Sequence, residues 1–190
     1  GGYVLVPNYN SAIAYDKAGK EIKRFEGTKD HFQNFIDAVR SRQVEDLNAD
    51  QRTDIAWSVE GCSTSCVSEV QIVTWNGAVY TSTIEPGATI AEGSATFTQI
   101  AAGDPGRGKQ LVLVGGVSNT EESGLAVPHT EIWQSVQRQP FQRIHWSYDR
   151  TVEGANCLGL RLIEADVALQ ASAALGYEPA INLYTKAIDP

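Results

Sequence analysis

Two pairs of a histidine and a carboxylate are the residues of this sequence with the clearest potential for catalysis. His129 and Glu131 lie two positions apart, so both side chains share one face if the segment is a strand. His145 and Asp149 lie four positions apart across the expected end of another strand. General acid–base catalysis needs an imidazole beside a carboxylate. Such pairs also arise by chance in an acidic chain, so their catalytic role is a hypothesis.

Aromatic side chains cluster in the same part of the sequence. Trp133, Trp146 and Tyr148 lie close to both histidine pairs. On an exposed sheet face they would stack on a sugar, whereas in the interior they would belong to the hydrophobic core. The core is the favoured interpretation, because large aromatic residues are mostly buried.

Residues 103–109, Gly-Asp-Pro-Gly-Arg-Gly-Lys, match most of a phosphate-binding loop. Gln110 stands where that loop has a Ser or Thr that binds magnesium. The following Leu-Val-Leu-Val predicts a strand, whereas a phosphate site needs the N-terminus of a helix. We therefore predict a turn between two strands and no nucleotide or other cofactor.

The three cysteines do not form a recognisable metal motif. Cys62 and Cys66 are separated by three residues, but no second pair of ligands completes a zinc site. We expect these cysteines and Cys157 to be paired or buried, and no metal to be bound. The count of three does not decide the redox compartment.

The elements that position these residues predict an α+β fold built on a mainly antiparallel β-sheet. Two helices are expected, at about 29–42 and at 160–175. The first rests on apolar residues at helical spacing from Phe32 to Val39, and the second on Ile163, Val167 and Ala174. Asn48-Ala-Asp50 indicates the cap of a further helix. Strands are predicted over 3–6, 12–15, 21–25, 70–75, 78–84, 94–100, 110–114 and 143–148, with a turn at Asn76-Gly77.

Charge and composition restrict the partners. The net charge is −8, and no Lys or Arg lies between Thr53 and Gly106. Nucleic acids and anionic membranes need clustered basic residues, so we predict neither as a partner. No apolar run approaches the roughly 20 residues of a membrane helix, which predicts a soluble protein. Methionine is absent and the chain opens with Gly-Gly, which indicates a processed or trimmed chain and leaves localisation undetermined.

The first fifty residues carry a resemblance to a known family. Gly2-Tyr-Val-Leu-Val, the segment 14–23, His31-Phe-Gln-Asn-Phe-Ile-Asp-Ala-Val-Arg-Ser-Arg and Glu45-Asp-Leu-Asn-Ala-Asp50 resemble the C-terminal part of Gfo/Idh/MocA-type oxidoreductases, which use a nicotinamide cofactor on sugars. The resemblance implies two parts, a family-like segment 1–50 and a β-rich domain 51–190. It also implies that residues 1–50 are part of the scaffold of a substrate domain. Because this chain lacks the family's phosphate loop and catalytic residues, it is not expected to be a self-sufficient dehydrogenase.

Three hypotheses about function follow. The first is a non-catalytic binding or assembly module related to the sugar oxidoreductase substrate domain, with a carbohydrate as its ligand. The second is a structural subunit that associates with itself. The third is a small enzyme that uses His145 with Asp149, or His129 with Glu131. The second hypothesis predicts large assemblies without any ligand, and the third predicts loss of turnover in single His→Ala variants.

Overall fold

A computed structural model of the chain describes residues 4–7, 11–15, 18–26, 38–62, 66–76, 78–99, 108–116, 127–136, 139–149 and 157–188. These residues form strands up to residue 148 and helices from residue 157 onwards. The strands pair antiparallel in three sheets. The predicted α+β class with a mainly antiparallel sheet is therefore confirmed.

The bounds of the elements follow chain order. The strands are β1 Val4–Pro7, β2 Ser11–Tyr15, β3 Glu21–Glu26, β4 Ala38–Glu45, β5 Asp54–Cys62, β6 Cys66–Trp75, β7 Tyr80–Ser82, β8 Thr89–Ala91, β9 Ser94–Gln99, β10 Lys109–Gly115, β11 His129–Ser135 and β12 Phe141–Tyr148. The helices are α1 Cys157–Gln170, α2 Ser172–Leu175 and α3 Glu178–Ile188.

Sheet 1 contains β1, β2 and β3 in that order. β1 pairs with β2 from Val4 opposite Tyr15 to Pro7 opposite Ala12. β3 returns along the other edge of β2, as the turn-rich segment between the two strands predicts. All three strands predicted near the start of the sequence are therefore confirmed.

Sheet 2 is built around β6, which pairs with β5 along its whole length. On the other edge of β6, β7 pairs near Trp75 and β8 pairs near Val67. β4 completes the sheet at the outer edge of β5. Since β4 precedes residue 50 and β5 follows it, this sheet joins strands from both sides of the expected boundary.

The hairpin predicted at 70–84 exists, but with a longer connection than the Asn-Gly pair suggests. The pair that closes it is Trp75 with Tyr80. The Asn76 side chain accepts hydrogen bonds from the backbone N–H groups of Ala78 and Val79, at 3.0 and 2.9 Å. An asparagine side chain that binds the backbone in this way stabilises a wider turn than the two-residue type.

The predicted helix at about 29–42 is wrong over its last five residues. Residues 38–42 begin β4, where Val39 lies opposite Val59 of β5; residues 29–37 lie outside the described part of the chain. Helical periodicity over a short segment is a weak preference, and pairing with a neighbouring strand overrides it.

The predicted helix cap at 48–50 is also wrong, because these residues form a turn that leads into β5. The side chains of Asp46 and Asn48 accept the N–H group of Asp50, each at 3.1 Å. The Asp50 side chain accepts the N–H group of Arg52 at 2.8 Å. Asp and Asn stabilise turns by the same bonds with which they cap helices, so the local sequence fits both.

Sheet 3 has the order β12-β11-β10-β9. Its inner face packs on sheet 2 around a core of large apolar residues. Backbone hydrogen bonds also join the two sheets, including Lys109 N–H to Leu47 O and Gly116 N–H to Ala91 O, both at 2.7 Å. The core residues are Leu47, Ala56, Val70, Ile72, Ile84, Ala88, Ile90, Leu111, Leu113, Trp133 and Phe141.

Tight backbone approaches make glycine necessary where β8 and β9 meet β10. A Cβ atom added to Gly115 would lie 2.6 Å from the Gly93 Cα atom and 2.5 Å from the Ala91 carbonyl oxygen. Any side chain at this position would force the strands apart.

The helices cover the part of the inner face of sheet 3 that extends beyond sheet 2. Val167 of α1 packs with Trp146, Tyr148 and Val127. The helix predicted at 160–175 is confirmed as α1 with α2, and Gly176 forms its C-cap with φ +80°. α3 was not predicted; it packs against α1, and we call the two together the helical hairpin.

Candidate functional site

Strand alternation places the His129–Glu131 pair on the inner face of sheet 3. Glu131 lies opposite Leu113 of β10 and Trp146 of β12, while His129 lies opposite Tyr148. Side chains two positions apart on a strand share a face, so both polar groups point into the region that sheet 2 and α1 enclose. Neither side chain is exposed to solvent (0% and 0%).

Two residues donate hydrogen bonds to the Glu131 carboxylate, and a third, His129, lies beside it. Oε2 accepts the Trp133 indole N–H at 2.7 Å, and Oε1 accepts Arg143 Nη1 at 2.9 Å. The His129 Nε2 atom lies 3.5 Å from Oε1, a long approach for a hydrogen bond. The Arg143 guanidinium also lies over the Trp133 ring, 5.9 Å from its centre. We call these four residues the buried polar cluster.

His129 is held on two further sides. Its Nδ1 atom lies 2.6 Å from the Val127 carbonyl oxygen; because a carbonyl oxygen only accepts, Nδ1 carries the hydrogen. The imidazole stacks on Trp146, with ring centres 5.3 Å apart and planes at 26°. His129 therefore connects the polar cluster to the aromatic residues on which α1 rests.

The pKa of Glu131 shows that the surrounding donors outweigh its burial. Burial is the largest single effect and raises this pKa. The neighbouring His129 imidazole, the positive charge of Arg143 and the hydrogen bonds from Trp133 and Arg143 act in the opposite direction, and together they lower the pKa below its ordinary value. Glu131 is therefore a charged carboxylate inside the fold.

The buried polar cluster is closed to solvent at both catalytic candidates. A general base must come within about 2.6–3.2 Å of the proton that it removes, and solvent does not reach either His129 or Glu131. A buried charge that is paired and hydrogen-bonded is instead a common way to hold strands in one arrangement, although its desolvation makes its net contribution to stability small.

A second buried carboxylate, Asp54 in sheet 2, has different partners. Its Oδ2 atom accepts the N–H groups of Leu47 and Asn48, at 2.8 and 3.3 Å, and its Oδ1 atom accepts the Thr74 hydroxyl. Burial raises its pKa, and the nearby charge of Asp50 adds to this increase, against the three hydrogen bonds. The sequence gives no signal for this residue, because a lone Asp at the start of a strand belongs to no recognisable motif.

The other histidine–carboxylate pair lies elsewhere. His145 is exposed and lies opposite Ile132 on the outer face of sheet 3, so the sheet separates it from the buried polar cluster. Asp149 is exposed just after β12, where its N–H group bonds the Pro128 carbonyl oxygen at 2.9 Å. The two alternative pairs therefore lie apart, one buried on the inner face of sheet 3 and the other exposed.

The aromatic candidates are buried, as the core interpretation predicts. Trp133 belongs to the core between the sheets, and Trp146 and Tyr148 pack against Val167 of α1. Their exposed fractions are 3%, 2% and 8%. A sugar-stacking surface needs exposed rings, so these three residues do not provide one in this arrangement.

The remaining motifs have structural roles where the structure describes them. Lys109, the last residue of the phosphate-loop-like segment, begins β10 and pairs with Glu45 at 2.6 Å; residues 101–107 lie outside the described part. Cys66 is disulfide-bonded, and Cys62 lies opposite it where β5 ends and β6 begins. Among the described residues, no group of three His, Cys, Asp or Glu is placed to hold a metal ion.

No helix in the described ranges has the length and apolar character needed to cross a membrane.

The helical hairpin presents an apolar surface that sequence reasoning missed. Exposed aliphatic side chains occur on both helices, and we call them the hairpin stripe: Leu158, Leu162, Leu169, Ile181 and Ile188. The Tyr184 hydroxyl bonds the Asp166 carboxylate across the two helices; this bond, with smaller contributions from burial and the Asp166 charge, raises the pKa of Tyr184.

That hydrogen bond fixes the side of the hairpin on which the stripe lies. Leu162 and Leu169 precede and follow Asp166 by four and three positions, which puts them on the face of α1 that Asp166 occupies. Ile181 and Ile188 flank Tyr184 by three and four positions. Both halves of the stripe therefore border the same interhelical bond.

Comparison of the chain with protein-family models, with curated proteins and with solved structures finds no match. The resemblance of residues 1–50 to Gfo/Idh/MocA-type oxidoreductases stays a prediction.

Proposed function

We propose that the protein is a non-catalytic assembly module that associates with a second copy of itself through the hairpin stripe. The observation that supports this most directly is the exposure of five large aliphatic side chains on one side of two packed helices. Ile181 and Ile188 are the most exposed of them, at 61% and 79%. Contiguous exposed apolar surface on a folded chain is typical of a protein contact.

The distribution of charge favours a second copy as the partner. The segment 157–188 carries two basic and three acidic residues, a net charge of −1, which leaves −7 of the total −8 for the rest of the chain. Two copies that meet at the hairpin keep their acidic surfaces apart, whereas contact elsewhere brings like charges together.

The shape of the hairpin suits an isologous contact. Two antiparallel helix pairs that pack face to face form a four-helix bundle, in which the same residues of both copies bury one another. Each Leu or Ile side chain that becomes fully buried contributes about 1.5–3 kcal/mol. Part of this is offset by the loss of free motion on association.

The test is the solution mass of an Ile181→Lys variant, measured by light scattering over a range of concentration. Wild type is expected to exceed the chain mass of 20.6 kDa, and a charge in the middle of the stripe is expected to weaken this association at least tenfold. Asn182→Lys is the matched control, because Asn182 is an exposed neighbour on the same helix that points away from the stripe. Equal masses for Ile181→Lys and wild type would disprove the proposed contact.

The alternative hypotheses receive less support from the geometry. The enzyme hypothesis relies on one pair that solvent does not reach and on a second pair at the exposed end of a strand. The carbohydrate hypothesis loses its expected aromatic platform, since Trp133, Trp146 and Tyr148 are buried. Carbohydrate binding elsewhere on the chain stays a prediction from the family resemblance.

A further inference from the structure

The outer face of sheet 3 has an unusual composition. The pairing of its strands puts three rows of four side chains on this face. Two of the rows are made mostly of hydroxyl and amide side chains, and two of the four side chains in the central row are apolar. In the order β9, β10, β11, β12, the rows are Thr98, Gln110, Gln134 and Gln142; Thr96, Val112, Ile132 and His145; and Ser94, Val114, Thr130 and Ser147.

This face carries no Asp, Glu, Lys or Arg at any of its twelve positions. Charged residues make up 20% of the chain, so about two would be expected among twelve positions, and more on an exposed sheet face, which is normally polar. The absence is specific to this face, because the inner face of the same sheet contains Glu131 and Arg143. His145 is the one titratable group on the outer face.

Part of the outer face is open: five of its twelve side chains are exposed, six are half-buried and Gln134 is buried. Ser94, Thr96, Thr98, Val114 and His145 are exposed. The described elements that pack on sheet 3, which are the strands of sheet 2 and the helix α1, contact its inner side. Gln110 and Gln134 bond to each other across the strands, Nε2 to Oε1 at 3.1 Å, so their amides are ordered in the plane of the face.

We infer that this outer face is a second self-association surface, which packs on the same face of another copy. A flat sheet face offers no concave site for a small ligand, but two such faces pack at about 10 Å. In an acidic chain, this is a surface where two copies meet without desolvating a carboxylate. Val112, Val114 and Ile132, on the two middle strands β10 and β11, supply the apolar contact.

The size of the face predicts a weak contact. Four strands at about 4.8 Å and three rows at about 6.7 Å give a footprint of roughly 400 Å² per copy. Stable interfaces bury about 800 Å² per partner. Pairing through this face is therefore expected to depend on concentration.

The outer-face contact goes beyond the proposed function. The assembly size that it predicts, however, rests on the hairpin contact of the proposed function as well. The helical hairpin lies on the inner side of sheet 3 and the second surface lies on the outer side. A copy that uses both surfaces contacts two different neighbours, so the assembly grows as an open chain rather than stopping at a dimer.

The experiment places a lysine on each surface separately and on both together. Val114→Lys tests the outer face, because Val114 is 46% exposed and tolerates a long side chain in the folded chain. Val79→Lys is the matched control: it is the same substitution at a valine of similar exposure, 55%, in the β6–β7 loop. Thr96→Lys, at an exposed position on β9, is a second variant should Val114→Lys fold poorly, which circular dichroism checks.

Light scattering then separates the outcomes. Wild type and Val79→Lys are expected to grow beyond the dimer as concentration rises. Val114→Lys and Ile181→Lys are each expected to stop at twice 20.6 kDa, and the double variant is expected to stay monomeric. If folded Val114→Lys and Thr96→Lys both match wild type, the second surface is overturned whatever Ile181→Lys does. If Ile181→Lys matches wild type while Val114→Lys and Thr96→Lys do not, the hairpin contact fails and the outer face stands.

Discussion

Glu131 in sheet 3 and Asp54 in sheet 2 are both carboxylates with no exposed surface, yet their pKa values move in opposite directions. Burial raises both. Glu131 has the cationic Arg143 and the imidazole of His129 beside it, and its pKa falls below the ordinary value. Asp54 has a hydroxyl, two backbone N–H groups and another carboxylate nearby, and its pKa rises. At Glu131 the imidazole, the positive charge and the donors together outweigh desolvation, whereas at Asp54 the neutral donors do not.

The largest expected effect comes from removing the cation beside Glu131. Arg143→Leu leaves a buried carboxylate with only Trp133 and His129 around it, so we expect a loss of about 3 kcal/mol in the free energy of unfolding. The estimate is at the low end of the range for buried pairs, because the Arg143 side chain is 28% exposed. Urea denaturation measures the loss.

The control for this variant is Arg24→Leu. Arg24 makes an exposed ion pair with Glu21 at 2.8 Å, and such pairs contribute less than about 1 kcal/mol. Similar losses for the two variants would show that burial does not distinguish the two ion pairs.

A smaller loss is expected when Asp54 loses a neutral donor. Thr74→Val removes the hydroxyl that bonds Asp54 Oδ1 and leaves the two backbone donors in place. We expect a loss of about 1–2 kcal/mol, to be measured by urea denaturation beside Thr53→Val, an exposed position just before β5. A loss larger than that of Arg143→Leu would reverse the ranking of charged and neutral partners.

Replacing the buried His129 is expected to destabilise the fold more than replacing the exposed His145, and both losses are smaller than those above. His129→Gln cannot keep both the Val127 bond and the approach to Glu131, and it loses the stack on Trp146; we expect a loss of about 1 kcal/mol. His145→Gln, on the exposed outer face, is expected to change stability by less than about 0.5 kcal/mol. Thermal melts of both variants at neutral pH make the comparison, and an equal loss in the two would contradict it.

The smallest effect is on pH dependence, and its sign differs between the two carboxylates. Glu131 has a lowered pKa, so its contribution to stability is present above its ordinary value of 4.5 and is lost as pH falls through the folded-state pKa. Asp54 has a raised pKa, so its contribution is present below 3.8 and is lost as pH rises through the folded-state pKa.

Two amide variants separate these contributions. Glu131→Gln is expected to lose stability less steeply than wild type on acidification below pH 4.5, and Asp54→Asn more steeply between neutral pH and pH 3.8. The measurement is the free energy of unfolding from urea titrations at a series of pH values. Shifts of the same sign in both variants would refute the opposite roles of the two carboxylates.

Local patterns were sufficient for much of the fold. Alternating β-branched and aromatic residues predicted β6, β9, β10 and β12, and the spacing of Ile163 and Val167 predicted α1. These signals are local because strand alternation and helix periodicity repeat within a few residues. The spacing of His129 and Glu131 likewise predicted a shared face.

The sequence by itself determined the class of fold, the acidic charge, the position of most strands and the side-by-side placement of His129 and Glu131. Only the tertiary structure decided that residues 38–42 form a strand, because β5 supplies the partner for their backbone groups. It also decided that His129 and Glu131 are sealed from solvent while His145 is exposed. The alternation of side chains along a strand is written in the sequence, but which face is covered depends on sheet 2 and α1, whose packing joins residues far apart in the chain.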